Sequence, residues 1–484
     1  MRKIFLRITG VLLLLVIGLS VVIGINTARY KPADHSNAEA FALGADLDQA
    51  VQNLSRAVQY QTISAKRDQI EFDGFLSFLE TAYPVVHEKM EMVKLDADTP
   101  LFKWVGTDES LQPVLLAAHY DVVPIAPWSL DKWDYDPFSG AVEGGYVWGR
   151  GTLDDKGALI AILSAVEHLI STGFTPKRTI YLSFGGDEEV GGLGAKAVAE
   201  YLNENDIQLA WTLDEGSFVL DKIVPGLDVP VASINLSEKG YVTVKLVAEA
   251  DGGHSALPPR VTTVGRIARA VSRLQDEPVS GGLDGVSAEF FDGLGRHFSL
   301  EKRALFANRW LFNPLLEAIL SGSASTDAML RTTTAPTMVT GSNKENVLAS
   351  QATATINFRI HPRDTVDDIV SHVIDVIDDE NIKVIVDRDA ASEASPVASK
   401  TADGYRDIET SIVSVFGPIA SVPGLTIAAT DARHYAKASD AAYRINPFIV
   451  NSDDIARFHG INERLSIENL GRGIDFYGSL LSKQ

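Results

Sequence analysis

Residues 113–118 read PVLLAA and residues 178–184 read RTIYLSF, two runs with the length and apolar content of buried strands. Between them, residues 157–172 (GALIAILSAVEHLIST) repeat apolar side chains at spacings of three and four, which is typical of a helix. A second helical pattern over 193–205 and a strand over 208–213 (QLAWTL) continue the alternation. This order predicts an α/β fold, a mostly parallel sheet covered by helices, whose ligands collect at the carboxyl ends of the strands.

Acidic residues and one histidine stand at the ends of these apolar runs. They form three clusters: His119 and Asp121, then Asp154 and Asp155, then Asp187, Glu188 and Glu189. A single acidic residue at such a position is as often a helix cap or a solvated loop charge. Three clusters in succession indicate a divalent metal, because a metal compensates the desolvation of carboxylates and imidazoles beside buried strands. A histidine, several acids and a spare glutamate beside a ligand glutamate are typical of a hydrolytic zinc site.

The composition of the chain limits which metal ligands and which partners are possible. The chain has 484 residues, which predicts two domains, and a formal net charge of −21. This charge argues against nucleic acid and anionic membrane surfaces as partners. Cysteine is absent, so metal ligands must be histidines and carboxylates, a set that suits zinc and also cobalt or manganese.

The first 26 residues predict a membrane location. Three basic residues, Arg2, Lys3 and Arg7, precede an apolar run over 8–25 that is about as long as a membrane span. Its basic flank predicts a cytoplasmic N-terminus and an exported body. An uncleaved signal anchor is favoured over a cleaved signal peptide, which would give a secreted or periplasmic protein, because no convincing cleavage site follows.

A second pattern of strands and helices begins near residue 238 and predicts a small antiparallel sheet with helices on one face. Within it, 276–340 reads as a partly helical insertion with an aromatic island. The chain is therefore predicted to divide into five segments: an anchor (1–26), a tether (27–45), a first part of the main unit (46–236), an inserted second unit (237–390) and a second part of the main unit (391–484).

Ordered motifs extend over nearly all of the chain beyond the apolar segment. They are HYDVVP, WGRGTLDDKG, GDEEVGG, LDEG, GGHSALPP, TDARHY and FHGINERLSIEN. Each is weak alone, but in this order they make the chain resemble the di-zinc metallopeptidases of the aminoacylase-1 and carboxypeptidase G2 family. Within that family it is most similar to the branch of carboxypeptidase S (Gly-Xaa carboxypeptidase) and the N-fatty-acyl-amino-acid synthase/hydrolases.

The resemblance implies two zinc ions per subunit and a role for each motif residue. The implied ligands are His119, Asp154 as the bridge, Glu189, Asp214 and His459. Which ligand serves which metal stays open; Glu215 is an alternative to Asp214, and His434 an alternative to His459. Asp121 would orient the imidazole of His119 from behind, and Glu188 would be the general base. The Asp154–Asp155 peptide bond is expected to be cis, as in the family.

The resemblance also implies that 46–236 and 391–484 are the two parts of the catalytic domain. It implies that 237–390 is an inserted lid or dimerisation domain, which carries the substrate contacts. His254, in GGHSALPP, would stabilise the oxyanion from the lid of a partner subunit in a homodimer, although a loop histidine alone is more often merely exposed to solvent. Asn346 and Arg359 would hold the free carboxylate of the substrate, for which the planar guanidinium of arginine is suited.

The residues predict a zinc-dependent hydrolase, and the resemblance implies a metallocarboxypeptidase that releases a C-terminal amino acid from short or N-blocked peptides. The alternative substrates are N-fatty-acyl amino acids, hydrolysed or reversibly formed by an aminoacylase. From another class, an inactive relative could serve as a binding or scaffold protein, but every implied ligand and the implied base are present.

Overall fold

The computed structural model describes residues 2–35 and 38–484. Within them, the α-helices are α1 (Arg2–Arg29), α2 (Leu47–Val58), α3 (Gln69–Ala82), α4 (Pro84–Lys89), α5 (Lys156–Ser171), α6 (Leu193–Glu204), α7 (Thr263–Asp276), α8 (Gly285–Gly295), α9 (Leu300–Ala307), α10 (Arg309–Leu320), α11 (Ala324–Leu330), α12 (Val366–Ile377), α13 (Asp403–Phe416), α14 (Ala432–Tyr435), α15 (Ser452–Arg457) and α16 (Ile467–Leu481).

The strands of the same described residues form two larger and two smaller sheets. They are β1 (Glu91–Leu95), β2 (Thr99–Trp104), β3 (Val114–His119), β4 (Val142–Glu143), β5 (Tyr146–Trp148), β6 (Ile180–Gly185), β7 (Trp211–Asp214), β8 (Val219–Leu220), β9 (Val231–Glu238), β10 (Gly240–Glu249), β11 (Gly253–His254), β12 (Thr333–Thr340), β13 (Val347–Leu348), β14 (Gln351–Ile360), β15 (Ile382–Val386), β16 (Ala420–Thr426), β17 (Ala442–Arg444), β18 (Ile449–Val450) and β19 (Arg464–Ser466).

The main sheet has the order β1-β2-β6-β3-β7-β17-β9-β8-β18, with β16 also paired to β9. Its centre, β6-β3-β7-β17, is parallel throughout, while β1 and β2 add antiparallel strands at one edge. Parallel neighbours end at the same edge of a sheet, so the residues that follow β3, β6 and β7 are brought together there.

Both faces of the main sheet are covered, as its continuous apolar strands predict. Strand β3 alternates between two cores: Val114, Leu116 and Ala118 pack on the side of α5, and Leu115 and Ala117 pack on the side of α6. Helix α5 is buried along most of its length between this sheet and helices α2, α4 and α16. The prediction of an α/β sheet covered by helices is therefore confirmed, with mixed rather than uniformly parallel pairing at the edges.

The second sheet has the order β12-β14-β10-β15 and is entirely antiparallel. One face carries the alternate side chains of β10 and β14 and is packed against α7 and α12 in a core of its own. Residues 276–340 contain α8 to α11 and β12, so the predicted partly helical character of this stretch is confirmed.

Helix α1 has the length and composition of a membrane span over Ile4–Arg29. Its apolar side chains from Ile4 to Val22 are exposed, and only its last turns contact the rest of the protein, chiefly at α9. A buried core helix is therefore excluded for this segment, and a signal anchor and a signal peptide both remain consistent with it.

Candidate active site

The motif residues meet at the carboxyl edge of the main sheet. His119 is the last residue of β3, and Asp214 is the last residue of β7, the strand beside it. Glu189 lies in the turn that follows β6. Asp154 precedes α5 and is joined to Asp155 by a cis peptide bond, as the family resemblance implies. His459 enters from the loop after α15.

Asp154 lies between two imidazoles. Its Oδ1 is 2.9 Å from His119 Nε2, and its Oδ2 is 2.8 Å from His459 Nε2. The Asp154 side chain is 5% exposed and that of His119 is 2% exposed, whereas that of His459 is 45% exposed. One buried carboxylate thus presents one oxygen to each histidine, the arrangement that a ligand shared by two metals requires.

Glu189 completes the cluster on the side of His459. Its Oε1 is 3.3 Å from His459 Nε2, and the potential ligand atoms of His119, Asp154 and Glu189 all lie within 4.8 Å of one another. Three donors of this type at this separation can hold a single metal ion.

Asp121 lies behind the cluster and is fully buried. Its carboxylate accepts the backbone N–H groups of Glu188 at 3.1 Å and Glu189 at 3.2 Å, and its Oδ1 lies 3.4 Å from His119 Nδ1. The Nδ1 of His119 is also 3.0 Å from the carbonyl oxygen of Asp121. Asp121 therefore ties the turn that carries Glu188 and Glu189 to the histidine of β3, which fixes the direction in which Nε2 points.

Glu188 adjoins the cluster without contacting an imidazole directly. Burial raises the pKa of its carboxyl well above the ordinary value, and the nearby charge of Asp431 adds to that effect, while His119 opposes it. A glutamate with a raised pKa is a stronger proton acceptor than an ordinary carboxylate, which suits a general base beside a metal site.

Asp214 and Glu215 are buried at the end of β7. Burial raises the pKa of Asp214 to about 6 and that of Glu215 well above its usual range. Asp214 Oδ1 accepts the N–H of Glu215 at 2.9 Å, and Asp214 Oδ2 has no hydrogen-bond partner within the described part of the chain. Asp214 thus offers a free ligand oxygen at the end of β7, the strand beside β3.

His434 lies apart from the two imidazoles of the cluster. Its Nε2 is 3.4 Å from the carbonyl oxygen of Gly191 and 3.2 Å from Arg433 Nε, and burial beside Arg433 lowers its pKa to about 4. The loop that carries it covers the Glu188–Glu189 turn. Of the two alternatives for the distal histidine, His459 is the one that contacts Asp154.

The cluster has the donor chemistry of a divalent metal site. Burial raises the pKa of several neighbouring carboxyls, so they cannot all be ionised without a compensating cation. The affected groups are Asp155, Glu188, Glu189, Asp214, Glu215 and Asp431. Hydrogen bonds to Asp154 and Glu189 raise the pKa of His459 to about 10. An environment that holds protons this strongly also favours a metal cation in their place.

The relationship of the chain to known proteins agrees with this chemistry. The model of peptidase family M20/M25/M40 matches residues 115–483. The chain belongs to peptidase family M20/M25/M40. Probable carboxypeptidase S-like 2 of Dictyostelium discoideum is 39% identical over 485 residues, 96% of this chain and 92% of that protein. An N-fatty-acyl-amino acid synthase/hydrolase of Xenopus tropicalis is 36% identical over 90% of this chain and 85% of that protein.

A solved structure supports the fold. The M20 family metallo-carboxypeptidase Sso-CP2 from Sulfolobus solfataricus is similar with a TM-score of 0.63 at 20% identity, over 90% of this chain and 98% of that one. Family membership confirms the resemblance drawn from the ordered motifs. Together with the His119, Asp154 and Glu189 cluster, it implies a divalent metal cofactor for this M20-family enzyme.

Three predicted substrate contacts lie outside the cluster of this M20-family chain. His254 ends β11, and Asn346 immediately precedes β13, the strand that pairs with β11; Ser255 N donates to Asn346 O at 3.1 Å. Arg359 lies on β14, and its guanidinium is 5.0 Å from the ring of Tyr241. None of the hydrogen bonds or ion pairs of residues 2–35 and 38–484 joins these three residues to the metal-ligand candidates.

Sequence reasoning missed a buried ion pair that holds two motif loops together. Glu463 Oε2 is 2.6 Å from Arg150 Nη1, and Glu463 Oε1 accepts the N–H groups of Gly151, Leu153 and Asp154 at 2.9–3.2 Å. Arg150 in turn donates to the carbonyl oxygens of His459 and Gly460 at 3.1 and 2.9 Å. Both residues stand inside quoted motifs, WGRG and FHGINER. The pair fixes the loop of Asp154 against the loop of His459.

Replacing Glu463 by glutamine should weaken metal binding as well as the fold. The substitution leaves the buried guanidinium of Arg150 without its counter-charge, which is expected to cost about 3 kcal/mol or more of unfolding free energy. We also expect about 10–100-fold weaker metal affinity, because a neutral side chain at 463 holds Arg150, and through it the His459 loop, less firmly against the Asp154 loop. Denaturant titration and competition with a zinc chelator measure the two effects.

Glu468→Gln is the matched control for this prediction. Glu468 pairs with Arg472 at 2.5 Å, but its side chain is 73% exposed, so its loss should change the unfolding free energy by less than about 1 kcal/mol. Equal and small effects of the two substitutions would show that the Arg150–Glu463 pair does not position the site.

Proposed function

We propose that this chain is a di-zinc amide hydrolase whose substrates carry a free carboxylate. The observation that carries the proposal is the placement of Asp154, whose two carboxylate oxygens face His119 and His459 at 2.9 and 2.8 Å. Such a carboxylate serves two metals at once. Cobalt or manganese would suit the same nitrogen and oxygen donors.

The geometry supports one division of the ligands. Glu189 contacts His459, so these two residues and Asp154 would hold one ion. Asp214 ends the strand beside that of His119 and has a free carboxylate oxygen, so it would hold the other ion with His119 and Asp154. Each ion then has two ligands of its own and one shared carboxylate, which leaves room for water and substrate.

The positions of Glu188 and Asp121 beside the proposed ligands indicate their roles. When bound, the metal pair polarises the scissile carbonyl and lowers the pKa of water. Glu188 would take a proton from the attacking water and pass it to the leaving amide nitrogen. Asp121 would hold the tautomer and direction of His119 while Glu188 carries that proton.

Two substrate classes are consistent with the relatives, one named as a probable carboxypeptidase and the other as an N-fatty-acyl-amino acid synthase/hydrolase. In both cases an amide bond joins an acyl group to the nitrogen of an amino acid with a free carboxylate. We place metallocarboxypeptidase activity on short or N-blocked peptides first and hydrolysis, or reversible formation, of N-fatty-acyl amino acids second. Assaying the full chain on N-blocked dipeptides and on N-oleoyl amino acids with the same C-terminal residue separates the two, and hydrolysis of neither would contradict the proposal.

We propose further that 237–390 acts as a lid and dimerisation domain. His254 and Asn346 lie on this unit and are exposed, and no hydrogen bond or ion pair of the described residues joins them to the metal-ligand candidates of their own chain. A partner subunit would bring His254 to the oxyanion, and Asn346 with Arg359 to the substrate carboxylate. The anchor (1–26), tether (27–45) and two catalytic parts (46–236, 391–484) complete the proposed division of the chain.

The topology follows from the N-terminal charges. We propose that α1 is an uncleaved anchor with Arg2, Lys3 and Arg7 on the cytoplasmic side and the catalytic body outside. A cleaved and secreted or periplasmic form is the second choice.

Protease accessibility tests this topology. We expect protease added to intact cells, or to spheroplasts where an outer membrane is present, to digest the body while a tag placed before Arg2 survives. The control is the same digestion after the membrane has been dissolved, when the tag should also be cut. A body that resists protease outside but is cut in inverted vesicles would reverse the proposed orientation.

A further inference from the structure

Helix α10 exposes a continuous apolar face. Its six exposed residues are all apolar and follow the spacing i, i+1, i+4, i+5, i+8, i+9: they are Trp310, Leu311, Pro314, Leu315, Ala318 and Ile319. Trp310 is 62% exposed, Leu315 48% and Ile319 57%. A contiguous apolar face of this kind on a protein surface is typical of a site that contacts another apolar body.

The polar side chains of α10 point towards the protein instead. Arg309 donates to the carbonyl oxygen of Leu283, and Glu317 Oε1 accepts the N–H of Leu283 at 2.9 Å. Asn313 Nδ2 donates to Glu317 Oε1 at 2.8 Å. The face of α10 towards the protein is mixed, because Leu316 is buried there beside these polar groups, but none of the polar side chains of α10 is exposed. A surface helix in water instead presents polar side chains on its outer face.

The start of α10 lies where α1 leaves the body. Asn308, the residue before α10, donates to the carbonyl oxygen of Ile23 at 3.4 Å and accepts from Asn26 Nδ2 at 2.9 Å. Further along, the guanidinium of Arg296 lies 4.5 Å from the ring centroid of Tyr30, just past the end of α1. Every residue of α1 from Ile4 to Val22 is exposed, and Ile23, whose carbonyl oxygen contacts Asn308, is the first partly buried one, although Ile25 is again exposed.

We propose that the apolar face of α10 lies in the surface of the lipid bilayer that α1 spans. A helix with one apolar and one polar face sits in the interface with its apolar side among the upper acyl chains. Trp310 suits this level, since tryptophan is enriched at membrane surfaces, and its Nε1 is 3.4 Å from Asn308 Oδ1 beside α1. The contact of α10 with the bilayer would be apolar, because a chain with a net charge of −21 is not attracted to anionic lipid headgroups.

The helix would give the catalytic body a second attachment to the membrane and so a fixed orientation on it. With α1 as its only membrane contact, the body could rotate and tilt relative to the membrane. Membrane contacts at both α1 and α10 would fix its orientation. This inference rests on the proposed insertion of α1.

The absence of cysteine allows a site-specific test with the full chain. A single cysteine at Leu315 is labelled with an environment-sensitive fluorophore, and the protein is reconstituted in phosphatidylcholine vesicles that contain a nitroxide-labelled lipid. Ile70→Cys, at a position 80% exposed on α3, is the control for a water-exposed label. Leu13→Cys, on α1, is the control for insertion of the anchor.

We expect the Leu315→Cys label to be quenched by the nitroxide lipid several-fold more strongly than the Ile70→Cys label, approaching the Leu13→Cys label. Quenching at Leu13 together with a Leu315 label that behaves like the Ile70 label would overturn the inference and leave the anchor intact. A Leu315 label shielded from lipid, with energy transfer between chains, would overturn it in favour of a second copy. Failure of quenching at Leu13 would contradict the proposed anchor, and the inference with it.

Discussion

Glu188→Gln is expected to lower the turnover number by about 10² or more while the protein keeps its metal. Glutamine preserves the size of the side chain but cannot accept the proton of the attacking water. Glu188 makes no direct contact with His119 or His459, so its loss should leave the ligand set undisturbed. Hydrolysis rates and bound metal are measured on the same sample of the full chain.

Neighbouring glutamates provide matched controls for this substitution. Glu189 contacts His459 at 3.3 Å, so Glu189→Gln should lose bound metal as well as activity. Glu200, on α6, is 61% exposed, and Glu200→Gln should retain both. Retention of most of the turnover by Glu188→Gln would contradict its assignment as the general base.

Mixing two inactive variants, Glu188→Gln and His254→Ala, is expected to restore part of the activity if each active site takes His254 from the partner. A heterodimer of the two has one site with both residues intact and one site that lacks both. Recovery should therefore be partial and never complete. The measurement is hydrolysis after subunit exchange, with heterodimers counted by two affinity tags.

The control mixture is Glu188→Gln with Glu189→Gln. Both residues lie in one turn of one chain, so every site in that heterodimer keeps one lesion and no activity should return. Activity that stays absent in verified heterodimers of Glu188→Gln and His254→Ala would exclude the trans arrangement. His254 would then act within its own chain, for example through the helices of residues 276–340, or be structural.

The centre of the fold could be predicted because its strands are buried on both faces. Strand β3 lies between two apolar cores, and helix α5 is buried along most of its length, so the sequences of both are almost continuously apolar. The antiparallel pairing of β1 and β2 at the edge of the main sheet could not be predicted from an apolar pattern. Strand β1 is partly exposed and has only five residues, and its pairing with β2 depends on a short turn rather than on an apolar pattern.

The site residues at strand ends could be predicted because buried charge beside an apolar run is conspicuous in a sequence. His119, Asp154 and Glu189 were identified in this way, and they do meet in space. Glu463, by contrast, is distant in sequence from Arg150, and the ion pair between them exists only after folding. Asp431 was missed for a similar reason, because only its burial beside Gly185 and Gly192 shows how close it lies to the site.

Zinc titration of the metal-free full chain tests the central claim most directly. Hydrolysis of an N-blocked dipeptide and of an N-fatty-acyl amino acid is followed as zinc is added. The account predicts no hydrolysis without metal and activity towards at least one substrate that saturates near two zinc ions per chain. Hydrolysis by the metal-free chain, or saturation with a single ion bound, would contradict a site built on a carboxylate shared by two metals.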